Sequence, residues 1–478
     1  MQILKTIRRN FLSLTILHII EKIASFLLIV IVARYLGKEI YGFYAFALAY
    51  STFFMILSDF GINTYLTRDI AQKIENGPKY LNSSFSIRIV LCIISLSLLY
   101  LIIQFTNLSS SQKIVIFIVG FTTHVKGTSQ LFIAFIRAHE QMQFEAKSGF
   151  WERFIAVSGG FIILYLGYGL FELVILFLFA AIIQFVYLLR VINNKFTSIH
   201  FDYDIIFIRK IIKEASPFLL ANFMMVLNYR IDTILLSIFK NDGAVGIYNV
   251  AYNLIFSFMI IQNILGRTMF PVFAKYSFSD PDKFKQAYQL LIKVILTVVL
   301  PITIFITINA GPIINFLYGN EYYESTKCLQ ILIWSLIFTF SSYTMGSILL
   351  ALKGEKHSFI GWSLCAGVNL LLNIIIIPRY GYIGASITTL LSEIIAFGIF
   401  YCFLVYRYSV FIIQNAIIIK LSILILILTV LFKILALFNS LIFVPAIMGI
   451  YLFVIYVIHI FTKEELQIFS NILSVKLV

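Results

Sequence analysis

The sequence predicts an all-α integral membrane protein, and three observations lead to this prediction. The chain has 478 residues, of which 61% are hydrophobic and only 12% are charged, whereas about a quarter of the residues in a soluble domain are charged. Apolar runs of about 20 residues, the length that crosses a bilayer as a helix, recur along the chain with short polar breaks. Because these runs are too long and too rich in Leu and Ile for barrel strands, helices are the spanning structure that remains.

The apolar runs and the turns between them predict about 14 transmembrane helices. Breaks such as Asn76-Gly77-Pro78 and Asn241-Asp242-Gly243 are typical of turns. The first run is too long for a signal peptide and lacks a small-residue cleavage pattern, so we interpret it as a retained helix. The predicted spans are residues 10–35, 42–66, 82–106, 113–137, 148–167, 170–190, 214–239, 246–272, 286–308, 325–351, 358–377, 382–406, 415–435 and 441–461.

The lysine and arginine residues predict the orientation in the membrane. With the N-terminus inside, the two termini, the segments between spans and the adjoining span ends carry 21 of these residues on the inner side and five on the outer side. Because inner loops of membrane proteins carry an excess of lysine and arginine, both termini are predicted to be cytoplasmic. The same rule explains the net charge of +14 without a nucleic acid partner.

A repeated pattern predicts two related halves. The segment Gly42–Ala47 is echoed by Gly246–Ala251, 204 residues later, and the longest polar break between spans falls just before the second copy. We predict two six-helix lobes related by pseudo-two-fold symmetry around a central cavity, plus two C-terminal helices, since parallel repeats around a midplane site are typical of transporters. The predicted divisions are an N-terminal lobe at 1–192, a cytoplasmic linker at 193–213, a C-terminal lobe at 214–408, and the additional helices with a tail at 409–478.

Charged residues inside the predicted spans are the candidates for a functional site. Each costs about 2.5–3.5 kcal/mol at a helix centre unless it faces a partner or water. Six cations against three anions favour a cavity that holds an anion, and a diphosphate is suitable because arginine and lysine both bind phosphate. The basic candidates are Lys22, Arg88, Lys126, Arg230, Arg267 and Lys293, and the acidic candidates are Glu21, Asp232 and Glu393.

These candidates divide into predicted roles. The cations that we predict to bind substrate are Lys22, Lys126, Arg230 and Arg267, and the acids that we predict to tune the site or to couple it to an ion are Glu21, Asp232 and Glu393. Arg230 and Asp232 lie about 200° apart around a helix, so they cannot both face one cavity. The alternative, above all for Arg88, Lys293 and Glu393, is an internal ion pair or a side chain that reaches the membrane surface.

A polar stripe on one predicted helix has two interpretations. Asn249, Asn253, Asn263 and Arg267 recur at helical spacing and share one face. Such a stripe lines a water-filled cavity, or it joins two membrane helices through amide hydrogen bonds.

Motifs of enzyme chemistry are absent from the sequence. It contains no P-loop, no HExxH and no GxSxG. The four cysteines lie in or at the ends of apolar runs without a CxxC pair, and the six histidines are scattered, so neither a metal site nor a cofactor is predicted. The short predicted outer loops lack an acidic catalytic pair, which counts against a membrane glycosyltransferase or a polysaccharide polymerase.

Several short motifs carry a resemblance to a known family. They are Ala33–Gly37, Tyr41-Gly42, Asp59–Ile62, Arg68–Ala71, Arg230–Asp232, Val245–Tyr248 with Ala251, and Gly384-Ala385 with Thr388-Thr389 and Glu393. With these motifs the chain resembles the polysaccharide-transport family of lipid-linked oligosaccharide flippases. That family belongs to the superfamily that also holds the multidrug exporters and the peptidoglycan-precursor flippases.

The resemblance implies a function and its partners. It implies two lobes around a cationic cavity, and an undecaprenyl-diphosphate-linked oligosaccharide as cargo, moved from the inner to the outer leaflet of the bacterial inner membrane. The unit would serve O-antigen or capsule assembly, with a polysaccharide polymerase and a chain-length regulator as partners. Membrane lipid surrounds the protein, no cofactor is implied, and the coupling ion stays open between H⁺ and Na⁺.

The favoured hypothesis is therefore a flippase that works by alternating access, and three alternatives stay open. A multidrug exporter of the same fold would carry cationic cargo and would need buried acids. A membrane glycosyltransferase or polymerase would shorten glycan chains when lost. A lipid scramblase would move lipids without selecting the glycan.

Overall fold

The computed structural model describes residues 2–72, 74–277 and 279–407, together with isolated positions beyond 407. The predicted spans 415–435 and 441–461 lie almost entirely outside these residues. Side chains are described from residue 23 onward, with gaps that include Arg267.

Helices account for the regular structure, and no strand occurs in the described ranges. A 3-10 turn, Ile74–Asn76, joins the second helix to the third. The helices are α1 Gln2–Asp59, α2 Ile62–Gln72, α3 Gly77–Gln104, α4 Ser110–Ala138, α5 Gln143–Tyr165, α6 Leu170–Lys195, α7 Ile205–Phe239, α8 Asp242–Ser257, α9 Met259–Tyr276, α10 Pro281–Tyr318, α11 Ser325–Leu332, α12 Ser335–Ala351 and α13 Glu355–Cys402.

Two long helices each contain a glycine where a turn between spans is predicted. Gly37 in α1 has a φ of 77°, and Gly381 in α13 has a φ of 56°. Both values lie in the region that glycine adopts without steric cost. Gly37 falls between the predicted spans 10–35 and 42–66, so α1 comprises both, and α13 likewise comprises 358–377 and 382–406.

The predicted span 42–66 is interrupted in the structure. Helix α1 ends at Asp59, and both Phe60 and Gly61 have positive φ before α2 begins. The Asp59 carboxylate accepts a hydrogen bond from the Gly61 N–H at 3.2 Å and pairs with Arg88 on α3 at 2.8 Å. The break is held by a buried charge contact, which hydropathy does not reveal.

The described helices suit a membrane. In the described part of the chain, seven helical segments are long and apolar enough to cross a bilayer. Large apolar side chains stay exposed on them, including Ile93 and Leu101 on α3 and Ile375 on α13. Because water would disfavour such surfaces and lipid favours them, the chain is a multi-pass membrane protein.

The chain forms two compact units, residues 1–250 and residues 251–478. In the first unit, α1 packs against α3, α4, α5 and α7, and α6 packs against α4 and α5. A buried apolar cluster that includes Tyr65, Phe132 and Ile192 lies between α2, α3, α4, α6 and α7. In the second unit, α12 packs against α9, α10 and α13.

Candidate functional site

A buried carboxylate holds two cations in the first unit. The Nζ of Lys126 on α4 lies 2.6 Å from Oε1 of Glu152 on α5, and the Nε of Arg153 lies 3.3 Å from the other carboxylate oxygen. The Glu152 side chain is 5% exposed, whereas those of Lys126 and Arg153 are 35% and 37% exposed. The carboxylate therefore lies behind the two cations, and the cations face open space.

Tyr44 on α1 links this group to Arg230 on α7. Arg153, Glu152 and Arg230 all lie within electrostatic range of the Tyr44 hydroxyl. We call Tyr44, Lys126, Glu152, Arg153 and Arg230 the cationic cluster. Its members come from four helices of the first unit, so it forms only when α1, α4, α5 and α7 pack together.

The cationic cluster carries a net charge of +2, because three cations accompany one carboxylate. A lysine or arginine at membrane depth is retained only where it meets water, a counter-charge or a polar ligand. The Glu152 carboxylate supplies that counter-charge, and about a third of the Lys126 and Arg153 side chains stays accessible. Arginine and lysine donate charge-assisted hydrogen bonds to phosphate oxygens, and the arrangement is suited to an anion.

Asp232 has different neighbours from Arg230, as their separation around α7 requires. Its buried carboxylate accepts a hydrogen bond from the Tyr248 hydroxyl of α8 at 2.7 Å. Nearby, the side-chain amide of Asn249 donates to the Thr233 hydroxyl at 3.2 Å. Asn249 thus joins α7 to α8, which is the helix–helix interpretation of the polar stripe.

Arg88 is enclosed by the protein. Its side chain is 0% exposed, and its Nη2 donates to Asp59 at 2.8 Å and to the Gly127 carbonyl oxygen at 2.9 Å. The sequence count of six cations against three anions omitted Asp59 and Glu152, which pair with Arg88 and Lys126. That excess was therefore too large, and Arg88 is a structural residue.

Glu393 belongs to the second unit, where its side chain is buried. A chain of hydrogen bonds lies beside it on α13: Asn373 donates to Asn369 at 3.0 Å, and Asn369 donates to the Ser392 hydroxyl at 3.3 Å. The bond from Asn369 to Ser392 joins the two segments of α13 on either side of Gly381.

The remaining predicted site residues lie outside the described side chains. Glu21, Lys22 and Arg267 fall in stretches whose side chains the structure does not describe, so their roles stay predictions. Of the predicted substrate-binding cations, Lys126 and Arg230 are brought into one cluster.

Sequence reasoning missed three members of the cationic cluster. Glu152 and Arg153 lie near the start of the predicted span 148–167 and are typical of charges at a helix end. The contact of Glu152 with α4 depends on how the two helices are aligned, which one sequence does not reveal. A signal did exist for Tyr44, because it lies in the repeated segment Gly42–Ala47.

A cavity of about 530 Å³ lies in the same unit, but none of its lining residues belongs to the cationic cluster. Glu39 and Asp242 line it together with Gln112, and two carboxylates disfavour an anion there. Within the described ranges, no group of three His, Cys, Asp or Glu side chains could hold a metal ion.

Two protein-family models match the chain. The model described as polysaccharide biosynthesis protein matches residues 7–277, which is more than half of the chain. The MatE model matches residues 217–375.

Curated relatives resemble the chain over most of its length. It is 22% identical to the probable low-salt glycan biosynthesis flippase Agl15 of Haloferax volcanii over 80% of each protein. It is 20% identical to the capsular polysaccharide biosynthesis protein CapF of Staphylococcus aureus, over 83% of this chain and 98% of CapF. The likeness to a flippase agrees with the predicted transporter and not with an enzyme.

The fold has a solved counterpart. The lipid II flippase MurJ in an inward closed conformation superposes with a TM-score of 0.76 at 17% identity, over 97% of this chain and 99% of MurJ. Because the two sequences are only 17% identical, this similarity establishes a shared fold and nothing further. The resemblance predicted from the motifs is confirmed, and the chain belongs to the polysaccharide biosynthesis protein family, in the superfamily of multidrug and lipid-linked-glycan exporters.

Proposed function

We propose that the protein is a flippase that carries a lipid-linked glycan across the membrane, and that the cationic cluster holds the diphosphate of the carrier lipid. One observation carries the proposal: Lys126 and Arg153 share the buried carboxylate of Glu152, and Arg230 lies within electrostatic range of Tyr44, as Arg153 and Glu152 do, in helices predicted to span the membrane. A lipid-linked diphosphate can cross the hydrocarbon only if its charge is met by opposite charge and hydrogen-bond donors.

The proposed cargo is an undecaprenyl-diphosphate-linked oligosaccharide repeat unit, moved from the inner to the outer leaflet of the bacterial inner membrane. The glycan and capsule names of Agl15 and CapF support this class. O-antigen or capsule assembly would use the unit on the outer side, where a polysaccharide polymerase and a chain-length regulator are the proposed partners.

The proposed mechanism is alternating access between two six-helix lobes, with 14 spans in total and both termini cytoplasmic. The predicted excess of inner lysine and arginine supports the orientation, and the turns at Gly37 and Gly381 support the assignment of two spans to each of α1 and α13. Asp232 and Glu393, both buried carboxylates, are the proposed sites of coupling to H⁺ or Na⁺.

The test of flipping locates the lipid-linked oligosaccharide in a strain that lacks the protein. A membrane-impermeant probe is applied to intact cells and to everted vesicles. Complete units are expected to accumulate on the cytoplasmic leaflet alone. Normal arrival of units at the outer leaflet would overturn the proposal.

The test of the site uses the same strain, complemented with single variants. Lys126→Gln, Arg153→Gln and Arg230→Gln are each expected to leave units trapped inside while the protein is present at a normal level. Lys147→Gln is the matched control, because Lys147 lies on α5 like Arg153 but is exposed away from the cluster. Equal export by all four variants would remove the cluster from the site.

A multidrug exporter is the second candidate, because the MatE model matches part of the chain. Cationic drugs would be repelled by a cluster of net charge +2, which favours the flippase. Altered drug susceptibility with a normal surface glycan would favour the exporter. Shortened chains without trapped units would indicate a polymerase.

A further inference from the structure

We propose that Glu152 sets the charge selectivity of the cationic cluster, so that the site binds a diphosphate firmly and still releases it. This inference rests on the proposed function. It assigns Glu152 as a positioning and specificity-determining residue that acts through Lys126 and Arg153, without itself touching the cargo.

The position of Glu152 supports this role. A carboxylate on the wall of a phosphate site would repel the cargo, but that of Glu152 is 5% exposed and lies behind two cations that are each about a third exposed. Its ion pairs hold the ammonium of Lys126 at 2.6 Å from one carboxylate oxygen and the guanidinium of Arg153 at 3.3 Å from the other. Cargo that enters the open space meets the two cations and not the carboxylate.

Charge complementarity supports it as well. In a diphosphate that links a lipid to a sugar, each phosphorus bears one ionised oxygen, so the cargo carries two negative charges. Three cations with Glu152 ionised give the cluster a charge of +2, which balances that cargo. Without the carboxylate the charge would be +3, and surplus charge of a low-dielectric site would oppose release.

The alternative is a purely structural role, in which Glu152 forms an ion pair that allows Lys126 to lie at membrane depth. Removal of one partner of such a pair lowers stability, because the other charge is left unpaired. That role predicts a loss of folded protein and no gain in affinity for an anion. Affinity and transport rate must therefore be measured separately from stability.

The experiment measures binding and flipping with two synthetic probes that differ by one charge. One probe is a short-chain prenyl diphosphate joined to N-acetylglucosamine, and the other is the corresponding prenyl monophosphate diester. The purified full-length protein is used in nanodiscs for binding and in vesicles for flipping. Wild-type protein is expected to prefer the diphosphate probe.

The variants change the cluster charge in both directions. Glu152→Gln, at +3, is expected to bind the diphosphate probe about tenfold more tightly and to flip it about tenfold more slowly. Lys126→Gln, at +1, is expected to bind it about tenfold more weakly. The double variant returns the charge to +2, and its affinity is expected to return to within about threefold of wild type.

Two further variants separate charge from folding. Glu152→Asp keeps the charge and is expected to bind as wild type does. Glu145→Gln is the matched control, because Glu145 on α5 pairs with Arg137 on α4 outside the cluster. If Glu152→Gln changes affinity no more than Glu145→Gln does, or only lowers the melting temperature, the inference is wrong.

Failure of the proposed function gives a different result. In that case the wild-type protein neither binds nor flips either probe. If the wild-type protein binds and flips the diphosphate probe but the affinities of the variants do not follow the cluster charge, the proposed flippase function is kept and the proposed role of Glu152 is wrong.

Discussion

Gly42 and Gly246 lie 204 residues apart in the sequence, and each packs on the backbone just before the other. A Cβ on Gly42 would lie 1.7 Å from the carbonyl oxygen of Asp242, and a Cβ on Gly246 would lie 2.1 Å from that of Lys38. Lys38 precedes Gly42 by four residues, as Asp242 precedes Gly246. The contact is reciprocal, and only glycine permits it.

This reciprocity gives the repeated sequence a physical meaning. When two related units meet across a two-fold axis, the same patch of each contacts the other. Equivalent positions of the predicted repeat contact each other crosswise here, which supports the proposal of two related halves. The contact involves the start of the second segment of α1 and the start of α8, and the orientation predicted from the lysine and arginine residues would place both at the outer membrane surface.

Substitution of either glycine is expected to separate these helices. In Gly42→Ala and Gly246→Ala, the new Cβ meets backbone atoms that cannot turn away, and overpacking costs about 1–3 kcal/mol. The melting temperature of the purified protein is expected to fall in each variant. The melting temperature of the double variant is expected to be little lower than that of either single variant, because both changes disrupt one contact.

Gly367→Ala is the matched control for this pair, because a Cβ on Gly367 would meet nothing within 4 Å. Its melting temperature is expected to equal or exceed that of the wild type, since alanine favours a helix. If the two decreases in melting temperature add up in the double variant, or if Gly367→Ala lowers the melting temperature as much, the two glycines do not share one contact.

A disulfide across the same contact is expected to stop transport. Gly243 lies opposite Glu39, with its Cβ position 3.6 Å from the Glu39 Cγ, a spacing compatible with a disulfide between cysteines at these positions. Alternating access requires that the contact open, so oxidation of the Glu39→Cys, Gly243→Cys variant is expected to block flipping and reduction to restore it. Vesicle flipping assays before and after reductant measure this.

The background for the cross-link carries Cys402→Ser, because Cys402 is the exposed one of the four free cysteines. Each single-cysteine variant serves as a control and is expected to transport in both redox states. If the cross-linked protein flips its cargo at the normal rate, the contact stays closed throughout transport and takes no part in the transport cycle.

The protein class and part of the site could be predicted from sequence because they depend on local chemistry. A long apolar run must be a membrane helix, and the special φ of the turn between the first two spans requires a residue such as Gly37. Lys126 and Arg230 are candidates from the sequence because a cation inside an apolar span is costly unless it meets water or a partner.

The rest of the site depends on contacts between helices, which hydropathy and spacing do not encode. Glu152 reaches Lys126 only in one alignment of α4 and α5, and Asp59 was overlooked because its partner Arg88 lies on another helix. For the same reason the break at Phe60 and Gly61 could not be predicted, because the contact that holds it joins Asp59 to Arg88 of another helix.

The linker between α6 and α7 is expected to respond to acid. Its Asp204 pairs with Lys79 of α3 at 2.8 Å, and its Asp202 accepts a hydrogen bond from the Ser83 hydroxyl. These contacts lower the pKa of Asp204, chiefly through Lys79, and that of Asp202, chiefly through Ser83, from an ordinary value of 3.8. Because both pKa values are lower in the folded protein, the contacts stabilise it at neutral pH and are lost as the pH falls below about 4.

A spin label at Thr197→Cys reports this change. Its mobility is expected to be low at neutral pH and to rise as the pH falls below about 4, where the two carboxylates become protonated. In the Asp202→Asn, Asp204→Asn variant, the label is expected to be mobile at both pH values. A wild-type label that stays immobile in acid would show that other contacts hold the linker.

The buried pair of Asp59 and Arg88 is expected to hold the break between α1 and α2. Asp59→Asn or Arg88→Met leaves the other charge unpaired in the interior, which costs about 3–5 kcal/mol. The melting temperature of the purified protein is expected to drop sharply in either variant and to recover in part in the double variant. Arg68→Gln is the control, because the Arg68 side chain is 50% exposed in its pair with Asp69 and such a surface pair contributes at most about 1 kcal/mol.

The same pair has a consequence for transport, because Asp59 also accepts a hydrogen bond from Asn222 of α7 at 3.4 Å. Helix α7 carries Arg230 of the cationic cluster, so a loosened Asp59 is expected to displace that cation and to slow flipping in the single variants. The double variant removes both charges and is expected to regain flipping along with stability. If it regains stability while flipping stays lost, the charges themselves take part in transport, and the assignment of Arg88 as a structural residue is wrong.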